Sequence, residues 1–62
     1  MNGNYEVKIT EYTHKRQARF AVQVRNTRTG GAVNEPGFTS REAALAWGEN
    51  AVAHAAENFF LR

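Results

Sequence analysis

Apolar and polar side chains alternate with a period of two along two stretches of the chain. In Tyr5–Tyr12, Tyr5, Val7 and Ile9 fall on one face, and Glu6, Lys8, Thr10 and Tyr12 on the other. Arg19–Arg25 alternates more cleanly. Phe20, Val22 and Val24 share one face, and Arg19, Ala21, Gln23 and Arg25 share the opposite one. Alternation of this kind, rich in β-branched and aromatic residues, predicts two half-buried antiparallel strands. Thr13–Ala18 is polar and basic and is expected to form a hairpin loop. Asn26–Gly31 has the composition of a turn, because Asn and Gly tolerate positive φ. Ala32–Asn34 is expected to begin a short third strand. Pro36 has no ladder N–H, so that strand must be an edge or end there.

The period changes after Phe38. Thr39-Ser40-Arg41-Glu42 fits a capping box, in which Thr39 accepts from the amide of Glu42 and the Glu42 side chain reaches back. Phe38 and Ala43 stand at the positions of a weak hydrophobic staple. From Ser40 to about Phe59 the alanine-rich sequence favours helix. On a 3.6-residue period Ala44, Trp47, Gly48, Ala51, Val52, Ala55 and Phe59 form one stripe. Arg41, Glu42, Glu49, Asn50 and Glu57 lie largely away from it. Gly48 costs about 1 kcal/mol relative to alanine in mid-helix, so its place in this stripe points to close approach of helix and sheet. The predicted fold is α+β, a three-stranded antiparallel meander packed on one C-terminal helix (β-β-β-α). Residues 1–62 are expected to form a single small domain.

A chain of 62 residues buries only about 60% of its unfolded surface. Its core then supplies roughly 3–5 kcal/mol of net stability. The absence of cysteine excludes disulfides and thiolate metal sites, and fits a reducing, cytoplasmic compartment. The N-terminus lacks the apolar run of a signal peptide, and no stretch approaches the ~20 apolar residues that span a bilayer.

Charge is divided unevenly. Residues 1–31 carry Lys8, Lys15, Arg16, Arg19, Arg25 and Arg28 against Glu6 and Glu11, a balance of +4. Residues 32–62 carry Arg41 and Arg62 against Glu35, Glu42, Glu49 and Glu57, a balance of −2. A basic sheet is therefore backed by a mildly acidic helix.

Catalytic chemistry has little to draw on, and no enzymatic activity is expected. Asp is absent, and Ser40, the sole serine, falls at the helix cap. His14 and His54 lie in different elements. His54 and Glu57 have i, i+3 spacing, yet no further ligands converge with them, so neither a metal nor another cofactor is expected. Gly30-Gly31 precedes a strand and lacks the Lys-Ser/Thr of a phosphate loop.

Binding chemistry is better represented. The polar sheet face carries Lys8, Thr10, Tyr12, Arg19, Gln23 and Arg25, and the loops add Lys15, Arg16 and Arg28. Arg and Lys neutralise phosphates, while Arg, Gln and Thr also reach base edges. A two- or three-stranded ribbon fits a major groove, so duplex DNA is the expected partner. Glu6 shares this face and opposes phosphate, and an ordinary solvated sheet face is the competing reading.

Arg19–Val24, the following polar glycine turn and Gly37-Phe38-Thr39-Ser40-Arg41-Glu42-Ala43-Ala44-Leu45-Ala46-Trp47 resemble the plant AP2 domain. Related three-stranded modules occur at the N-termini of some phage and transposon integrases. The resemblance spans roughly residues 5–55. It implies a sheet that enters the major groove with a helix supporting it from behind, and DNA contact by Arg19, Gln23, Arg25 and Lys8.

Two other classes of function fit the chain. One is a small phage-type inhibitor (anti-CRISPR-like) or adaptor, whose basic patch binds a protein of nucleic-acid machinery. The other is a self-associating scaffold. Tyr5–Tyr12 is a candidate exposed edge, and edge strands pair readily. Phe60 and Leu61 lie off the helical stripe. They are expected either to be exposed, as a homodimer or partner contact, or to belong to a terminus that folds back.

Overall fold

The computed structural model describes residues 4–58 together with Phe60 and Leu61. Three strands, β1 (Tyr5–His14), β2 (Gln17–Asn26) and β3 (Ala32–Phe38), form one antiparallel sheet in the order β1-β2-β3. The helix α1 (Arg41–Ala53) follows, then a single 3₁₀ turn at Ala55–Glu57. This is the β-β-β-α arrangement that the alternation predicts. Both predicted strands are longer than expected. Strand pairing continues through Thr13 with Ala18 and His14 with Gln17, so the expected loop Thr13–Ala18 shrinks to the two-residue turn Lys15-Arg16.

The register places Val7 opposite Val24 and Ile9 opposite Val22, with Val33 beyond Val24 on β3. These side chains form the face that α1 covers. Val22, Val24, Ala44, Ala55 and Leu61 are buried, and Tyr5, Val7, Ile9, Phe20, Val33, Phe38, Trp47, Ala51 and Val52 pack around them. Gly48 is the close-approach residue. A Cβ there would lie 2.7 Å from Val7 Cγ1 and 3.0 Å from Val22 Cγ2. Phe38 and Trp47 seal the β3 side, their ring centroids 6.4 Å apart.

β3 continues past its expected end to Phe38 because a bulge accommodates Pro36. Val22 pairs with Glu35 and Phe20 with Phe38, so Pro36 and Gly37 together oppose Ala21. Gly37 takes φ +93°, as bulges of this kind require. Its N–H is satisfied by the Tyr12 hydroxyl at 2.9 Å, which comes from β1.

The helix departs from expectation at both ends. Ser40, not Thr39, is the N-cap, and its hydroxyl accepts from the Ala43 N–H at 3.1 Å. Glu42 is then one place too early for the reciprocal bond of a capping box, and its carboxylate instead favours the positive end of the helix dipole. The α-helix stops at Ala53, well before Phe59, which lies outside the described residues. The Asn58 side chain accepts from the Phe60 N–H at 2.8 Å, and the Asn58 carbonyl from Leu61 N–H at 3.1 Å. These bonds turn the chain back on itself and bury Leu61 fully. The expectation that Leu61 is exposed is thereby corrected, and the folded-back terminus holds for it. Phe60 remains 60% exposed.

Asn26 anchors this returning segment. It is buried, and its Nδ2 donates to the Leu61 carbonyl at 2.8 Å. Its Oδ1 accepts from the N–H groups of Arg28 at 2.9 Å and Thr29 at 3.2 Å. Tyr5 donates a second bond to the Leu61 carbonyl at 3.2 Å. A Cβ on Gly31 would collide with the Phe60 carbonyl oxygen, so glycine is needed where the tail crosses the β2–β3 turn.

Asn26→Ala should cost about 2–3 kcal/mol, because it removes three hydrogen bonds and empties a fully buried position. Chemical denaturation should show most of the fold's margin lost. Gly48→Ala should destabilise by about 1 kcal/mol, because overpacking against the two valines outweighs the gain in helix propensity. A rise in the urea midpoint would contradict the close approach.

Candidate nucleic-acid interface

A ten-residue strand is about 34 Å long, and a thirteen-residue helix about 20 Å. The helix therefore cannot cover the β1–β2 hairpin along its whole length. β3 partners only Phe20–Arg25 of β2. Beyond Phe20 the hairpin continues as a two-stranded arm, and Thr13–Ala18 is exposed throughout. The molecule is accordingly elongated, 37 × 18 × 17 Å.

The arm ends in Lys15 and Arg16, with φ of +50° and +67°. Two consecutive left-handed residues are the signature of the type I′ hairpin turn, which fits the twist of the strands and normally uses Asn-Gly. Here two long cations occupy it, at a conformational cost of about 1–2 kcal/mol each. The cost falls at a place where both charges project away from the body of the domain.

Along the outer face the cross-strand pairs run Glu6 with Arg25, Lys8 with Gln23, Thr10 with Ala21, Tyr12 with Arg19 and His14 with Gln17. Asn34 of β3 joins the row of Lys8 and Gln23. The expected in-phase set Arg19, Gln23 and Arg25 does share one face. Its charges are not equally available. Arg25 forms an ion pair with Glu6 at 2.5 Å, with both side chains more than half exposed. Such surface pairs contribute about 0–1 kcal/mol, yet the pairing cancels the charge where a phosphate would sit. Arg19 is held by Gln17 Oε1 and the Ala18 carbonyl, which aims it along the arm.

The candidate residues do not form one cluster. Lys15, Arg16 and Arg19 gather at the arm, Lys8 and Gln23 lie mid-sheet, and Arg28 sits in the β2–β3 turn at the far end. The pairs His14–Gln17 and Glu6–Arg25 are eight residues apart along β1, about 27 Å. His14 and Gln17 belong to the arm's outer face but were hidden by the expected loop. Thr13–Ala18 is polar and basic nearly throughout, so no alternation separates its strand residues from its turn residues. Asn34 was hidden because register across the bulge is not readable from one strand.

His54 Nδ1 lies 3.0 Å from the Asn50 carbonyl at the helix end, and Glu57 is in the 3₁₀ turn. Among the described residues no group of three metal-ligating side chains converges, and no helix is long and apolar enough to cross a membrane. Comparison with protein-family profiles, with curated proteins and with solved structures finds no match to this chain.

Replacing Lys15 by Asn and Arg16 by Gly should relieve the turn. The double variant should gain about 1–2 kcal/mol, read as a rise of several degrees in the melting midpoint. An unchanged midpoint would show that the turn carries no strain.

Proposed function

We propose that this chain is a non-enzymatic module that contacts duplex DNA through the β1–β2 arm and the adjoining outer face of the sheet. The observation that carries the reading is the arm itself: a two-stranded ribbon beyond the core, tipped by Lys15 and Arg16 and flanked by Arg19. A ribbon of two strands matches the ~12 Å width of the major groove. Residues held at positive φ despite the cost often mark a function. Cations at the tip meet phosphates across the groove, while Gln17, Gln23 and Asn34 present amides suited to base edges. The likeness to the AP2 domain points the same way, with one difference. In this reading Arg25, paired to Glu6, contributes little, and Lys15 and Arg16 contribute most.

Lys8, Lys15, Arg16 and Arg19 together would neutralise about four phosphates, for a salt slope of roughly −3 to −4. Fluorescence anisotropy with a short duplex at several salt concentrations measures it. Lys15→Ala with Arg16→Ala should flatten the slope by about 2, whereas Arg25→Ala should leave it nearly unchanged. Absence of binding at low salt sinks the proposal. A stoichiometric protein partner recovered after nuclease treatment would favour the inhibitor or adaptor reading instead.

A further inference from the structure

β1 is an edge of the sheet along its full length. The Thr27 N–H donates to the Asn4 carbonyl at 2.7 Å, continuing the β1–β2 register. Hydrogen-bonded and non-bonded pairs alternate in an antiparallel ladder. Even-numbered residues of β1 therefore bond to β2, and the N–H and C=O groups of Tyr5, Val7, Ile9, Glu11 and Thr13 point outward. The helix flank above this edge is also apolar. Tyr5 and Val7 line a groove with Glu49 and Val52, whereas Trp47 faces β3 through Phe38. Leu45 lies one turn before Glu49 and so falls on the β1 flank. It is 43% exposed.

We propose that a second copy of this chain occupies the edge, with β1 pairing antiparallel to β1 of the second copy and Val7 opposite Val7. This register sets Tyr5 opposite Ile9 twice on the helix-covered face. On the outer face it sets Glu6 opposite Lys8 twice, two symmetric ion pairs. The neighbouring registers place Glu6 opposite Glu6 or Lys8 opposite Lys8, and larger shifts place Glu11 against Val7 or Ile9. Charge complementarity thus selects one alignment.

The helices fit the same symmetry. Gly48 sits over both Val7 and Val22, so α1 runs above the space between β1 and β2. The two-fold axis lies half a strand spacing outside β1, which puts the two helix axes about 10 Å apart, a normal packing distance. Leu45 and Val52 then line the seam. Glu49 lies between them, and its carboxylate limits the affinity. The dimer does not rest on the DNA reading, although Lys8 belongs to both surfaces, and the arms of its two copies point in opposite directions.

Sedimentation equilibrium of the intact chain from about 10 μM to about 1 mM should show a reversible monomer–dimer equilibrium. Lys8→Glu and Glu6→Lys should each weaken it about tenfold, since each turns two attractive pairs repulsive. The double swap should restore it, and Glu49→Gln should tighten it. These side chains are exposed, so unchanged melting curves are expected for Lys8→Glu and Glu49→Gln, and a loss of about 1 kcal/mol for Glu6→Lys, which breaks the ion pair with Arg25. A strict monomer at the highest concentration, or a dimer indifferent to the charge swap, overturns the proposal.

Discussion

The carboxamide of Asn26 is the constraint on which the rest of the molecule depends. It ties the end of β2 to the β2–β3 turn through the Arg28 and Thr29 amides, and to the returning C-terminal segment through the Leu61 carbonyl. Each partner is a backbone group, and the Leu61 carbonyl belongs to a fully buried residue. An apolar residue of similar size would fill the space and satisfy none of them. The bond also places Leu61, whose burial contributes about 1.5–3 kcal/mol in a core with few fully buried side chains. Tyr5 adds its hydroxyl to the same carbonyl, so the first strand, the second strand and the tail meet at one atom.

Helix and sheet meet through small residues, and that choice shapes the outer architecture. Gly48 and Ala44 let α1 sit down on Val7 and Val22. A short helix held this closely covers only the end of the sheet that also carries Asn26. The rest of the hairpin emerges from the domain. Without packing partners, Thr13–Ala18 keeps strand geometry through ladder hydrogen bonds and turn alone. The strained Lys15-Arg16 turn is tolerated because the stable half of the hairpin fixes its register.

The charge asymmetry of the sequence acquires direction in the fold. Glu6 and Arg25 neutralise one another across β1 and β2, which moves the unbalanced positive charge toward the arm. The acidic residues of the second half lie mostly on the helix side or at the β3 edge. The proposed nucleic-acid surface is therefore narrower than the sequence suggests, and centred on the tip.

The sequence by itself determined the order of elements, the apolar face of each strand and the role of Gly48. Period-two alternation and an alanine-rich helical stripe are local properties that tertiary contacts here reinforce. Only the tertiary structure decided the lengths and ends. The two-residue turn was illegible because Lys15-Arg16 lacks the Asn-Gly chemistry that normally announces it, and strand pairing supplies the energy that overrides the preference. The shift of the cap from Thr39 to Ser40 follows from where β3 and its bulge deliver the chain. The helix end at Ala53 and the burial of Leu61 have no periodic signature. They arise because Asn26, far away in sequence, offers the returning backbone a hydrogen bond that a longer helix would forgo. Which cations remain available was likewise a matter of register, since Glu6 and Arg25 become partners only when the strands align.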